Sequence, residues 1–162
     1  MGALPKSIKD SLPAVKFLLA EGVDLPVYES AGAACFDIKA LTVEYQANDT
    51  ALCTTGIQME IPEGWTMLVF SRSGHGFNAD TRLANSVGVI DSDYRGPIMV
   101  KLTGDRPGYG PRVMRDGKLD VIKPGDKVAQ AMFVPSFRLP FEVVDSLSET
   151  ERGNNGFGST GA

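Results

Sequence analysis

Two cysteines, Cys35 and Cys53, and one histidine, His75, are all the soft metal-ligand chemistry in this 162-residue chain. They form no CxxC pair and no disulfide framework, so they read as free thiols in a reducing cytoplasm, and a zinc site is improbable. No stretch approaches the roughly 20 apolar residues of a membrane span. The N-terminal segment lacks a signal-peptide core, because Lys6, Lys9, Asp10 and Lys16 interrupt it. Lys6 also stands where a myristoylation signal needs Ser or Thr. An excess of positive charge is missing too: the net charge is −4, against a broad nucleic-acid face. A small basic pocket for a phosphate ligand stays open. The expectation is a cytoplasmic protein with no membrane and no nucleic acid among its partners.

Sustained helical periodicity is also scarce. What the chain has is 18 glycines and 10 prolines, placed between short apolar runs. CFDIKA, CTTGIQMEI, TMLVFS, GVID, IMVKL and KVAQAMFVP are each of strand length. AVKFLLA at 14–20 fits a strand better than a helix, given Pro13 before it and Gly22 after it. One short helix is placed near Ser73–Ala84. The pattern predicts an all-β barrel or double-sheet jelly roll. Residues 1–13 read as a loose leader, and 103–120 as a long exposed hairpin or loop. The strand pattern is lost from about residue 146. The expected organisation is a single barrel domain over 1–146 and a flexible C-terminal arm over 147–162.

Several segments carry candidate chemistry. In RGNNGFGSTG, glycines would let backbone N–H groups approach a phosphate, and Arg152 would add charge; a plain Gly/Ser tail is the alternative. Taken alone, the segment reads first as the plain tail, which Phe157 strains slightly, since an aromatic in a tail has nothing to pack on unless it closes over something. In NSVGVIDSDYRGPIMVKL, two apolar runs flank SDYRGP, which predicts a β-hairpin. Asp91 and Asp93 are plain turn residues on one reading; on the other, one of them holds a water for attack. In FSRSGHGF, Arg72, Ser73 and Gly74 form an anion-binding turn or a surface loop. Gln130 and Asp37 are polar residues inside apolar strand patterns, where each needs a partner.

The order and spacing of these segments decide more than any one of them. AGAACFDIKA, SRSG, GVIDSDYRG, GDKVAQAMFVP and RGNNGFGSTG together resemble the five ordered motifs of the trimeric dUTPase family, from about Leu25 to the C-terminus. The resemblance implies a distorted jelly-roll β-barrel assembling as a homotrimer, with each site shared between three chains. It implies hydrolysis of dUTP to dUMP and pyrophosphate, which supplies dUMP for thymidylate synthesis and keeps uracil out of DNA. Asp91 would be the catalytic carboxylate that activates water for attack on the α-phosphorus. Arg72, Ser73, Gly74 and Gln130 would hold phosphates. Asn85, Val89, Ile90 and Met99 would line the uracil hairpin, and Tyr94 would pack under the deoxyribose. Asp37 would hold waters of a Mg2+ ion carried by the triphosphate. Arg152, Phe157, Gly158, Ser159 and Thr160 would form a lid, with Phe157 stacked on uracil.

The chain departs from the family pattern at Ser71, His75, Phe77 and Pro97, at Ala33–Phe36, at Asn154 and Asn155, and in the length of 103–120. None of these removes a predicted catalytic group. The alternatives are a dCTP deaminase, or a bifunctional deaminase/dUTPase, on the same fold, for which the third motif lacks a pocket glutamate, and a non-catalytic nucleotide-sensing regulatory trimer.

Overall fold

The structure is a computed structural model that describes residues 11–155. The strands are β1 (Lys16–Leu19), β2 (Phe36–Lys39), β3 (Thr42–Gln46), β4 (Thr50–Thr54), β5 (Ile57–Glu60), β6 (Trp65–Phe70), β7 (Thr81–Leu83), β8 (Val87–Ile90), β9 (Met99–Gly104), β10 (Arg112–Arg115), β11 (Lys118–Val121) and β12 (Lys127–Pro135). One helix among the described residues, α1 (Ser73–Ala79), lies between β6 and β7.

Two antiparallel four-stranded sheets form the body, in the orders β2-β12-β6-β8 and β3-β4-β9-β7. β1 pairs with β5, and β10 pairs with β11, as separate ribbons. The alternation read from the sequence explains the layering. In β2, Phe36 and Ile38 are buried, while Asp37 and Lys39 face the other way. Ile38, Met67 and Val128 from the first sheet share one apolar cluster with Cys53, Val100 and Leu102 from the second. The two sheets therefore bury their apolar faces against one core, as a jelly roll does. Truncating a side chain such as Leu102, which is fully buried, costs ~2–5 kcal/mol. No helix among the described residues is long and apolar enough to cross a membrane.

β12 carries the irregularity that shapes the polar end of its sheet. Its register against β2 shifts between Lys127 and Ala129, which lets the successive residues Val128 and Ala129 both point inward. Beyond the bulge, Gln130 stands opposite Asp37 on β2 and opposite Phe70 on β6.

The hairpin expected around SDYRGP is not formed as a ladder. β8 pairs with β6, whereas β9 pairs with β4 and β7, so the two runs lie in different sheets. The cause is competition for edges: each run satisfies its backbone groups on a strand from elsewhere in the chain. The connection over residues 91–98 is also far longer than a two-residue hairpin turn, and Pro97 supplies no ladder donor.

Of the hairpin and the loop expected over 103–120, the hairpin forms, as β10 pairs with β11, and the stretch before it is tied to the body. Gly108 N donates to Asp49 Oδ2 (2.7 Å) and Arg112 N to Thr81 Oγ1 (2.8 Å). Tyr45 Oη donates to Pro111 O (3.2 Å) and accepts from Ile122 N (2.6 Å). Gly104 permits this close return, because a Cβ there would lie 2.6 Å from the Gly110 carbonyl carbon. β12 ends at Pro135, and residues 136–155 are exposed on this chain.

Candidate active site

Asp37, Arg72 and Gln130 come from three distant segments and meet at one end of the first sheet. Cross-strand neighbours on one face of a sheet meet side chain to side chain, which places Asp37 beside Gln130. Arg72 follows β6 in extended conformation, immediately before α1. Its Nε donates to Asp37 Oδ1 at 2.8 Å, and Lys127 Nζ binds Asp37 Oδ2 at 2.8 Å. Lys127 also binds Glu29, at 2.6 Å. Gln130 Nε2 donates to Ser71 O (2.9 Å), and Ser71 Oγ accepts from Leu83 N (2.9 Å).

The electrostatics follow from that wiring. Partial burial pushes the Asp37 carboxyl up, but Lys127 and Arg72 outweigh burial and hold it below the ordinary carboxylate range. Lys127 is raised, first by its bond to Asp37 and then by Glu29. Only Nε of the Arg72 guanidinium is hydrogen-bonded among the described residues. The rest of its planar fork is available to an anion. Ser73 and Gly74 begin α1 and are exposed beside it.

The third segment is elsewhere. Ile90 pairs with Met67, and Thr66 Oγ1 donates to Ile90 O (2.7 Å), so Asp91 lies near the start of β6 while Arg72 lies beyond its end. At 3.3 Å per residue, roughly 20 Å of strand separates the two positions. One chain therefore does not bring Asp91 and Arg72 together. Asp91 is an exposed turn residue whose carbonyl accepts from Tyr94 N at 3.2 Å. Arg95 Nη1 braces the turn on Ser92 O (2.7 Å) and Tyr94 O (3.0 Å). Tyr94 Oη donates to Pro97 O (3.1 Å) with its ring folded over Gly96, where a Cβ would lie 2.6 Å from Cζ. Val89, Met99 and Tyr94 are exposed apolar side chains, Ile90 is half-buried, and Asn85 is exposed at the opposite end of β8.

Arg152 is exposed, with Nε on Asn155 O (2.9 Å). Phe157, Gly158, Ser159 and Thr160 lie outside the described residues.

Sequence reasoning missed Lys127, Glu29 and the use made of Ser71. A basic residue at a strand start carries no distinctive signal until the fold sets it against Asp37. His75 is the other surprise. It is buried, its Nδ1 has no hydrogen-bond partner, and burial followed by the nearby Arg72 charge lowers its pKa to about 4.

Among the described residues no three of His, Cys, Asp and Glu converge on a point. This donor set fits an ion that arrives on a ligand's phosphates and meets one carboxylate, not an ion caged by protein.

Fold and clusters define a double-sheet β protein with one anion-facing polar end and one apolar, turn-bordered face. The dUTPase family model matches residues 21–107 and 113–161. A deoxyuridine 5'-triphosphate nucleotidohydrolase of Roseobacter denitrificans is 38% identical over 159 residues, covering 93% of this chain and 98% of that protein. One from Desulfitobacterium hafniense is 42% identical over 143 residues, covering 85% and 87%. The dUTPase of Staphylococcus bacteriophage 80alpha, solved with dUpNHpp, superposes with a TM-score of 0.77 at 22% identity, covering 93% of this chain and all of that one. A mutant dUTPase of phage phi11 of S. aureus, solved with a coordinated structural Mg(II) ion, superposes with a TM-score of 0.71 at 24% identity, covering 85% and 100%. The chain belongs to the dUTPase family.

Proposed function

We propose that this chain hydrolyses dUTP to dUMP and pyrophosphate, at sites shared between the three copies of a homotrimer. The observation that carries this reading is the division of the family-matched residues into two groups. The Asp37–Arg72–Gln130 group and the Asp91–Tyr94 turn lie at opposite ends of β6. Each is half of a site, and a second copy supplies the other half.

In the assembled site, phosphates lie against the Arg72 fork, the Ser73 and Gly74 backbone and the Gln130 amide. Asp37 and Gln130 hold the Arg72 segment in place before the nucleotide arrives, so little ordering is left for the binding step. The strand from Asn85 to Ile90, with Met99, receives uracil, and backbone donors and acceptors there mimic a base pair. A cytosine amine would present a donor to a donor, a mismatch that discriminates strongly. Tyr94 packs under the deoxyribose and leaves no room for a 2′-hydroxyl.

Asp91 orients a water and takes its proton as the water oxygen bonds the α-phosphorus. The bond to the bridging oxygen breaks, and pyrophosphate leaves. This is catalysis by placement and charge neutralisation. A magnesium ion carried by the triphosphate would offset its charge, with its waters received by Asp37. Residues 1–146 form the domain, and 147–162 form an arm whose Arg152, Phe157, Gly158, Ser159 and Thr160 close over the bound nucleotide. Two thiols that are both free, Cys35 and Cys53, fit a cytoplasmic setting.

The test is turnover of dUTP beside dCTP, dTTP and UTP with magnesium, following pyrophosphate and the nucleotide product. Conversion of dUTP alone, to dUMP, is expected. Deamination of dCTP, or binding of dUTP without turnover, would overturn the assignment.

A further inference from the structure

The β10–β11 hairpin is unabsorbed by the reaction above, yet it touches the phosphate end of the chain twice. The family match skips residues 108–112, which lead into the hairpin, and resumes at Val113. First, α1 packs against β10, and the buried His75 lines a cleft of about 410 Å3 together with Val113, Arg115 and Asp126. Second, Arg115 reaches across to the turn before β12. Its Nη2 contacts both Asp126 oxygens (2.8 and 3.1 Å), and its Nε contacts Asp120 (2.9 Å).

Asp126 is held from three directions. Its Oδ2 also accepts from Lys123 N (2.8 Å), and its backbone carbonyl accepts from Ala40 N (2.9 Å), at the end of β2. The next residue is Lys127, whose ammonium binds Asp37, which in turn holds Arg72. We propose that Arg115 is a positioning residue for the phosphate grip, acting through Asp126, Lys127 and Asp37 on Arg72; this rests on the dUTP reading.

The physical cause is competition for one cation. Asp126 directly precedes Lys127 and the two line one cleft, and Arg115 neutralises Asp126 with two contacts from one guanidinium nitrogen. Without Arg115, the Asp126 carboxylate is uncompensated in a half-buried setting and draws the Lys127 ammonium away from Asp37. Asp37 then loses one of its two cations, and the Arg72 fork loses its fixed seat. An isolated exposed ion pair would matter little. This one matters because it is the first link of a chain ending on a ligand-facing group. Lysine cannot replace Arg115 fully, since an ammonium lacks the fork that spans Asp120 and Asp126 together.

The experiment uses the intact protein and two probes, dUpNHpp and dUMP, which lacks the outer phosphates. Arg115→Met is expected to weaken dUpNHpp about ten-fold, or about 1.4 kcal/mol. dUMP affinity is expected to stay within about two-fold, and Arg115→Lys to recover part of the loss. KM for dUTP should rise with a smaller change in kcat. Equal loss of both ligands would mean that the hairpin is merely structural, and unchanged dUpNHpp affinity would mean that the relay does not exist; either overturns the proposal. If Arg115→Met fails to fold, Arg115→Lys carries the same comparison of ligands with the same outcomes. Failure of the wild-type protein to bind dUpNHpp would overturn the dUTP reading itself, and the role of Arg115 with it.

Discussion

Asp91 sits in a turn, exposed and free of any cationic partner among the described residues. That is what a water-holding base requires: a carboxylate left unclaimed until substrate is present. Asp37 is the opposite case, a carboxylate each of whose oxygens already meets a cation, Arg72 on one and Lys127 on the other. The two should therefore fail differently. Asp91→Asn keeps the shape of the turn and removes the base, so kcat should fall by about two to four orders of magnitude with dUTP affinity retained. Steady-state kinetics beside calorimetric titration checks this, and normal turnover would remove Asp91 from its role. His75 gives a second residue-level prediction. Folded, its imidazole stays neutral to about pH 4, whereas in an unfolded chain it takes a proton near 6.5. Between those values the unfolded state binds more protons, so stability is present above about pH 6.5 and drains as pH falls toward 4. At fixed protein concentration, the urea midpoint of the wild type should drop more between pH 7 and pH 5 than that of His75→Leu. Parallel behaviour would mean that the imidazole is not held neutral.

Among the elements, the turn after β8 makes the sharpest case for a small residue. Tyr94 folds back over Gly96 so closely that any Cβ would intrude on the ring. Gly96→Ala should swing the phenol away from Pro97 O, raising KM for dUTP several-fold with little change in melting temperature. An unchanged KM would mean that the ring is not where the sugar binds. This turn also shows where sequence reasoning runs out. Alternation places strands well: KVAQAMFVP coincides with β12, and CFDIKA contains β2. The Asp116–Gly117 pair, with φ of 49° and 75°, is the two-residue hairpin signal, and it joins β10 to β11. Local pattern does not, however, say which sheet edge a strand will take. SDYRGP looks like a hairpin and is instead a crossing between sheets, because β6 and β4 offered better edges. The grip on Asp37 was half legible, as a carboxylate in a strand that needed a partner. Lys127 and Arg115 were not, since nothing in the order of residues measures distance across the fold.

At the scale of the molecule, the exposed side chains and the split site make one argument. Val89, Met99 and Tyr94 border the third segment uncovered, and Phe137, Leu139, Phe141 and Val143 stand exposed beyond β12. Fully burying one such side chain stabilises by ~1.5–3 kcal/mol, so the proposed homotrimer would gain by covering surface of this kind. If sites form between copies, two dead variants should repair each other. Arg72→Ala spoils the phosphate half, and Asp91→Asn spoils the half that activates water. A site that draws these residues from different chains needs an intact Arg72 from one variant and an intact Asp91 from the other. Random mixing at equal amounts, after dissociation and reassembly, gives about one quarter of sites with both. The mixture should then recover up to about a quarter of wild-type turnover, while each variant alone stays dead. A mixture as inactive as its parents, with exchange of subunits verified by mass, would mean that both halves come from one chain. That result would require a movement of roughly 20 Å between groups tied to one rigid strand, which the continuous β6 ladder opposes.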